Sequence, residues 1–315
     1  MNLRHLHTFV KIADAGGIAR AGGRLNLSQP AASRQILALE ADLGVRLFDR
    51  IGRRFRLTSE GEDLLRQSRR LLMDADSLSA RARALKGGHI GILRVGATPM
   101  VVENTLSVFL GQYRLRHSGV EVHFVEDGGI RLLDRLDHGD IHLALVVPDE
   151  RFQGCLLYPV CDVAVLSEKH RLSRRRTLDI AELAEEPLLL LHRSFGSRQW
   201  FEAACSVAHI RPRVFMESAA PHSIIALTAV GYGIAVVPST VLVPNDSVRA
   251  VPLVHRGALI GKWLTIAWDP QRLLAPYAER FVHELVAYCQ RNYPGRDVIR
   301  RAPGLPRPKN QIRRA

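Results

Sequence analysis

A chain of 315 residues has length for about two domains at roughly 150 residues each. Its 47% apolar and 24% charged residues exclude wholesale disorder, and no apolar run reaches the roughly 18 residues of a membrane span. Four cysteines without a Cys-x-x-Cys pair exclude a disulfide scaffold and a zinc module of that type.

The net charge of +13 is unevenly placed. Residues 1–90 carry 16 Lys/Arg against 9 Asp/Glu, residues 91–295 carry 21 of each, and residues 296–315 carry 7 against 1. A basic N-terminal module on a neutral body predicts an anionic polymer as the partner of the first. Met1-Asn2-Leu3-Arg4-His5-Leu6-His7 lacks the apolar core of a secretory signal. A cytoplasmic protein with no membrane partner is expected.

Leu3, Leu6, Phe9, Val10 and Ala13 recur at helical spacing up to Gly16-Gly17. A second short helix is predicted from Ile18 to Leu25, then a turn with Asn26. Ser28-Gln29-Pro30 opens a third: Ser28 can cap it, and Pro30 fits a first turn where its missing N–H has no partner. Ala32, Ile36, Leu39 and Leu43 form its apolar stripe, with Arg34 opposite, Ser33 on the flank and Gln29 at the start. A helix that presents polar and cationic groups after a short turn is the second helix of a helix-turn-helix. That unit spans Ile18 to Leu37.

Two alternating runs, Leu47-Phe48-Asp49-Arg50 and Phe55-Arg56-Leu57-Thr58, flank Ile51-Gly52-Arg53-Arg54. They read as a hairpin wing that lays Arg50, Arg53 and Arg54 along the DNA backbone or minor groove. A long helix follows to Lys86, with Ser59 and Glu62 fitting a capping box. Leu64, Ser68, Leu71, Ala75, Leu78, Ala82 and Leu85 step 4, 3, 4, 3, 4, 3 along it. Such a narrow seam wants a partner helix, so Leu64, Leu71, Leu78 and Leu85 are expected to hold a dimer.

From Ile90 short β-rich runs alternate with helices, the pattern of a mostly parallel sheet covered on both faces. Runs at 92–95, 120–125, 141–147, 156–160, 163–166, 187–191, 213–217, 234–237 and 263–268 are the predicted strands. About 205 residues predict two lobes with a cleft, and ligands of open α/β sheets bind beyond strand carboxyl ends. Those ends offer Thr98-Pro99, then Asp127-Gly128-Gly129, then His192-Arg193-Ser194-Phe195-Gly196-Ser197-Arg198. Ser194 and Ser197 could cap the helix that follows, and its dipole with Arg193 and Arg198 predicts a small anion, a carboxylate first. Thr98, Pro99, Gly128, Arg193, Ser194, Phe195 and Ser197 are the candidate ligand contacts at these strand ends.

Gly16-Gly17-Ile18, Ala21, Leu25, Leu27-Ser28-Gln29-Pro30-Ala31, Ser33, Gln35-Ile36, Leu39-Glu40, Leu43-Gly44, Leu47-Phe48, Arg50 and Leu57-Thr58 resemble the N-terminal pattern of LysR-type transcriptional regulators. Leu93-Arg94-Val95-Gly96, Leu136, Gly139-Asp140, Ala144 and Val230 through Pro238 resemble that family's effector domain, itself similar to periplasmic solute-binding proteins. The resemblance implies a winged helix-turn-helix DNA-binding domain (1–59), a linker helix (60–88) and an α/β two-lobed, periplasmic-binding-protein-like effector domain (89–295). Lobe I would hold about 91–161 and 267–295, and lobe II about 162–266. It implies a homodimer or homotetramer on double-stranded promoter DNA, modulated by a small anionic co-inducer. It also implies contact with RNA polymerase and a place in the bacterial cytoplasm, at the nucleoid. Gly17 and Gly22 depart from the family's usual Ser and Ala; interior glycine costs on the order of 1 kcal/mol each. Residues 296–315, basic and without periodicity, are expected to form a disordered tail.

No Gly-x-Ser-x-Gly, P-loop or His-Glu-x-x-His is present, so no catalytic residue, metal or cofactor is expected. Gly139 separates His138 from His142, which argues against a metal pair. The cysteines, Cys155, Cys161, Cys205 and Cys289, read as buried thiols rather than a redox sensor. Two other classes compete: a small-molecule enzyme on a solute-binding fold, and an architectural DNA binder that responds to no metabolite.

Overall fold

A computed structural model describes residues 2–308 apart from 19–20, 22–26, 52–53, 86–90 and 244–246. The chain divides into two compact units. One holds residues 1–89 with 135–140 and 271–276; the other holds 90–134, 141–270 and 277–315.

In the first unit, α1 (Leu3–Ala15) starts at Asn2, whose side chain accepts from the Arg4 N–H, and ends at Gly16 with φ +67°. Of the helix expected over Ile18–Leu25, Ile18 and Ala21 are described as helical and Ala21 is fully buried. Gly22, Gly23 and Asn26 lie outside the described residues. The next helix, α2 (Gln29–Leu43), starts as expected: Ser28 accepts from the Ala31 N–H and Pro30 sits in the first turn. Leu6, Phe9 and Ile12 of α1 pack on Ala32, Ile36 and Leu39 of α2 and on Leu47 and Phe48. Phe9 meets Phe48 edge-on at 5.5 Å between ring centres.

Strands β1 (Phe48–Ile51) and β2 (Arg54–Leu57) form the hairpin, pairing Phe48 with Leu57 and Ile51 with Arg54. Ile51 and Arg54, expected in the turn, are therefore paired strand residues. The Glu40 carboxylate accepts from the N–H groups of Leu47 (2.8 Å) and Phe48 (3.2 Å), which ties the hairpin to α2.

The long helix α3 (Ser59–Leu85) begins with a different cap from the one expected. Thr58 Oγ1, not Ser59, accepts from the Gly61 N–H at 2.8 Å, because Ser59 is already helical and its hydroxyl donates to Glu60. The same Thr58 hydroxyl donates to the Arg46 carbonyl at 2.7 Å. Thr58→Ala should therefore cost about 1 kcal/mol or slightly more. Thermal unfolding followed by circular dichroism checks this, and an unchanged midpoint would remove the cap from the account. Leu64 packs against the core of α1 and α2, so it does not belong to a free seam. Leu71 is 39% exposed and Leu78 67%.

The second unit is one curled sheet. Its first half aligns β3 (Gly91–Ala97), β4 (Val120–Glu126) and β5 (Leu143–Val146) in parallel. These strands are joined by a helical stretch over 99–116 that ends in α4 (Ser107–Arg116), and by α5 (Gly129–His138). The runs expected at 156–160 and 163–166 are a single strand, β6 (Gln153–Ser167). The second half adds β7 (Pro187–Leu191), α6 (Gly196–Val207), β8 (Arg213–Ser218), α7 (Pro221–Ala229) and β9 (Ile234–Pro238). Then come β10 (Val248–His255), β11 (Gly261–Trp268) and α8 (Pro276–Arg291). The main strand order is β4-β3-β5-β11-β6-β9-β7-β8, with β10 also on β6.

Along β6, residues 153–161 pair with β11 and residues from Asp162 pair with β9. The sheet thus passes from one lobe to the other between Cys161 and Asp162. Chain return to the first lobe begins at Gly261, opposite Cys161, rather than near 267. β10 was not among the expected strands; Pro252 interrupts its pattern, and proline is tolerated where the strand is an edge. In the second lobe Cys161, Val163, Val165, Leu189, Leu191, Ala235 and Val237 face one buried cluster. Ala164, Leu166, Leu188, Leu190, Ile234 and Val236 face the other. Burial on both faces explains why these strands read as unbroken apolar runs.

The expectation of disorder from residue 296 is corrected over 296–308. After Gly295, in the left-handed region at φ +76°, α9 (Arg296–Ile299) buries Ile299. Tyr293 stacks on Tyr158 at 5.3 Å, and Leu305 packs on the apolar cluster. Trp263 Nε1 donates to the Pro306 carbonyl at 3.0 Å. Packing on distant aromatic residues orders a segment that has no periodicity of its own.

Candidate functional site

The outer start of α2 carries the residues expected to read DNA. Gln29, Pro30 and Arg34 are exposed and Ser33 is half-buried. Gln35 faces inward instead, where the Thr8 hydroxyl donates to its Oε1 at 2.6 Å. This bond and the buried stripe fix the rotation of α2, so that Arg34 must project outward. Arg50 and Arg54 stand on the two hairpin strands; Arg53 lies outside the described residues.

In the second unit, a cavity of about 790 Å³ opens at the crossover of β6 and β9. Thr98, Pro99, Gly128, Ser194, Phe195 and Ser197, all expected from the sequence, line it. Thr98 precedes the helical stretch from 99, but its hydroxyl makes no capping bond there. Gly128 closely approaches Ser194: an added Cβ would lie 3.3 Å from the Ser194 carbonyl oxygen. The sequence reading missed Trp200, Val160, Pro238, Thr240 and Leu264, while His192, of the strand-end loop it named, also lines the cavity. Strand ends were the available signal for Pro238 and Thr240, whereas Trp200 lies inside α6.

Arg193 and Arg198 do not play the part expected of them. Neither lines the cavity. Arg198, only 4% exposed, donates to Glu217 (2.8 Å), Glu202 (3.0 Å) and the Leu191 carbonyl (2.9 Å). Arg193 donates to Glu202 as well, at 3.2 Å. Both guanidinium charges are neutralised within the protein, which removes the arginine argument for an anionic ligand. Neither serine caps α6 either: its N-cap is Phe195, without a side-chain bond, and Ser194 Oγ instead meets His192 Nδ1 at 3.2 Å. Charged cavity residues are Glu126, Asp127 and Arg131, with Arg131 3.7 Å from Asp127.

All four cysteines are buried. Burial pushes the thiols of Cys161, Cys205 and Cys289 up to about 12, far from the thiolate state that oxidation requires. His142 is a structural residue, with Nδ1 accepting from the Arg94 N–H at 2.8 Å.

Comparison with known proteins assigns both units. Residues 3–62 match the model for the bacterial regulatory helix-turn-helix protein, lysR family. Residues 86–290 match the model for the LysR substrate binding domain. The uncharacterised HTH-type transcriptional regulator YnfL of Escherichia coli K12 is 30% identical over 300 residues, covering 91% of this chain and 99% of its own. ClcR, an HTH-type transcriptional regulator of Pseudomonas putida, is 32% identical over 248 residues, covering 76% and 84%. Among solved structures, full-length CbnR complexed with its target DNA shares a TM-score of 0.60 at 25% identity, over 90% of this chain and 99% of that one. A full-length OxyR variant from Pseudomonas aeruginosa shares the fold, with a TM-score of 0.73 at 22% identity over 92% and 95%.

The chain belongs to the LysR family of transcriptional regulators. It is a DNA-binding regulator with an effector-binding domain, in a family that is not enzymatic.

Proposed function

We propose that α2 reads base edges through Arg34, with Gln29, Pro30 and Ser33 beside it, while Arg50, Arg53 and Arg54 hold the backbone or minor groove. Two protomers join through the exposed leucines of α3, as a dimer or as a tetramer of two such dimers, so that paired half-sites are held together. The protein acts in the bacterial cytoplasm, at promoters where it meets RNA polymerase. A small molecule in the β6–β9 cavity favours one arrangement of the assembly over another, as allostery requires.

The observation that carries the effector reading is the convergence of Thr98, Gly128, Ser194 and Ser197 on one cavity of about 790 Å³. That volume suits a metabolite. Thr98→Val and Ser197→Ala should leave operator affinity intact and weaken the metabolite response, each lost hydrogen bond costing about 0.5–1.5 kcal/mol. Operator binding titrated with and without cell-derived metabolites tests this. A response unchanged in both variants would move the effector away from the cavity.

A further inference from the structure

Asp162 is a buried carboxylic acid with no side-chain partner among the described residues. The residue has no exposure, and neither carboxyl oxygen has a hydrogen-bond partner among the described residues. Burial holds its pKa well above the ordinary carboxylate value, which favours the protonated form. A polar group left in this state opposes folding.

Its position is set by the strand register. Asp162 lies directly across from Pro238, and cross-strand partners share a face of the sheet. Val160, two residues before it, is on that same face. Val160 and Pro238 both line the cavity. Asp162 therefore stands one step behind the cavity wall. Cys205 of α6 is near enough for a charge on Asp162 to add to the rise that burial gives its thiol. Trp200 of α6 lines the cavity and also packs on the adjoining core cluster, which holds Cys205.

The charged lining is two carboxylates, Glu126 and Asp127, against one cation, Arg131, which lies 3.7 Å from Asp127. Glu126 is exposed at the cavity, and Trp200 and Phe195 add aromatic rings to the lining, a residue type whose faces attract cations. Arg193 and Arg198 are already held by carboxylates.

We infer that the cavity takes a molecule with an apolar body and a protonated amine, and that the amine reaches past Trp200 to pair with Asp162. This deepens the effector reading above and rests on it. When the ammonium arrives, the Asp162 carboxyl loses its proton to solvent and the two charges pair in its place. The uncapped first turn of α6 remains available to an acceptor oxygen elsewhere on the same ligand.

Three probes with one aromatic body separate the possibilities: 2-phenylethylamine, 2-phenylethanol and 3-phenylpropionate. Calorimetry on the full chain, in two buffers of different ionisation enthalpy, measures affinity and proton release together. The amine should bind tightest and release a proton. Asp162→Asn should weaken it by about tenfold or more, the worth of a charged hydrogen bond, and abolish the release. Asp162→Val should melt no lower than the parent, because it removes an unpaired polar group, and should lose the amine equally. Preference for 3-phenylpropionate, or no binding of the amine, overturns the proposal and leaves the cavity reading intact. Amine binding undiminished in Asp162→Asn but lost in Thr98→Val overturns the Asp162 assignment alone. Amine binding undiminished in both variants overturns the cavity reading as well.

Discussion

Arg34→Ala is expected to lose about 1–3 kcal/mol of discrimination between operator and random duplex, or roughly 5–150-fold in relative affinity. Arg34 stands exposed on α2, opposite the Ala32, Ile36 and Leu39 face that is buried in the core. Truncation there should leave the fold unchanged. A guanidinium in the major groove can take a guanine edge with two hydrogen bonds, and alanine takes none. The wing arginines should behave differently. Arg53→Ala should weaken operator and random DNA alike and reduce the salt dependence by about one phosphate contact. Competition binding at several salt concentrations distinguishes the two. Equal losses on both duplexes for Arg34→Ala would show that another residue reads the bases.

Leu71→Glu should convert the assembly to monomers and lower operator affinity by about a hundredfold or more, because a second half-site is no longer tethered to the first. Leu71 and Leu78 are 39% and 67% exposed on α3 within one protomer. A glutamate at Leu71 meets water in the monomer and should leave the domain folded. Between two protomers it would bury a charge, at a cost dimerisation cannot absorb. Leu64→Glu provides the contrast. That side chain packs on the first unit's core, so its replacement should lower the melting temperature rather than dissociate intact protomers. Light scattering and thermal melting on both variants separate the cases. A Leu71→Glu protein that remains dimeric would place the main interface elsewhere.

The DNA-reading unit was legible in the sequence because its signals are local. Ser28 with Pro30 at one end and Gly44 at the other bound α2, and its apolar stripe repeats at helical spacing. Even so, the cap of α3 was misplaced by one residue, since Thr58 and Ser59 carry the same chemistry and only the helix start decides between them. The cavity was half legible. Strand-end loops indicated Thr98, Gly128 and Ser194, but the charge balance depended on partners distant in sequence. Arg198 reads as available until β8 lies beside β7 and brings Glu217 within 2.8 Å. The ordering of residues 296–308 was invisible for a similar reason: its contacts are with Arg176 and Trp263.

The passage of β6 from one lobe to the other also constrains the order in which the chain can assemble. β5 must wait for β11, and the Thr265 hydroxyl that donates to the Val146 carbonyl lies 119 residues downstream. Until then β5 presents an unpaired edge, a template for pairing with other chains. Closing so long a loop directly is slow, though its entropic cost grows only with the logarithm of length. If the second lobe forms first, it shortens the search by bringing Gly261 opposite Cys161. The intervening lobe then acts as a scaffold for finishing its neighbour. Variants that weaken the second lobe's core should therefore aggregate through the first lobe, whose own residues are unchanged.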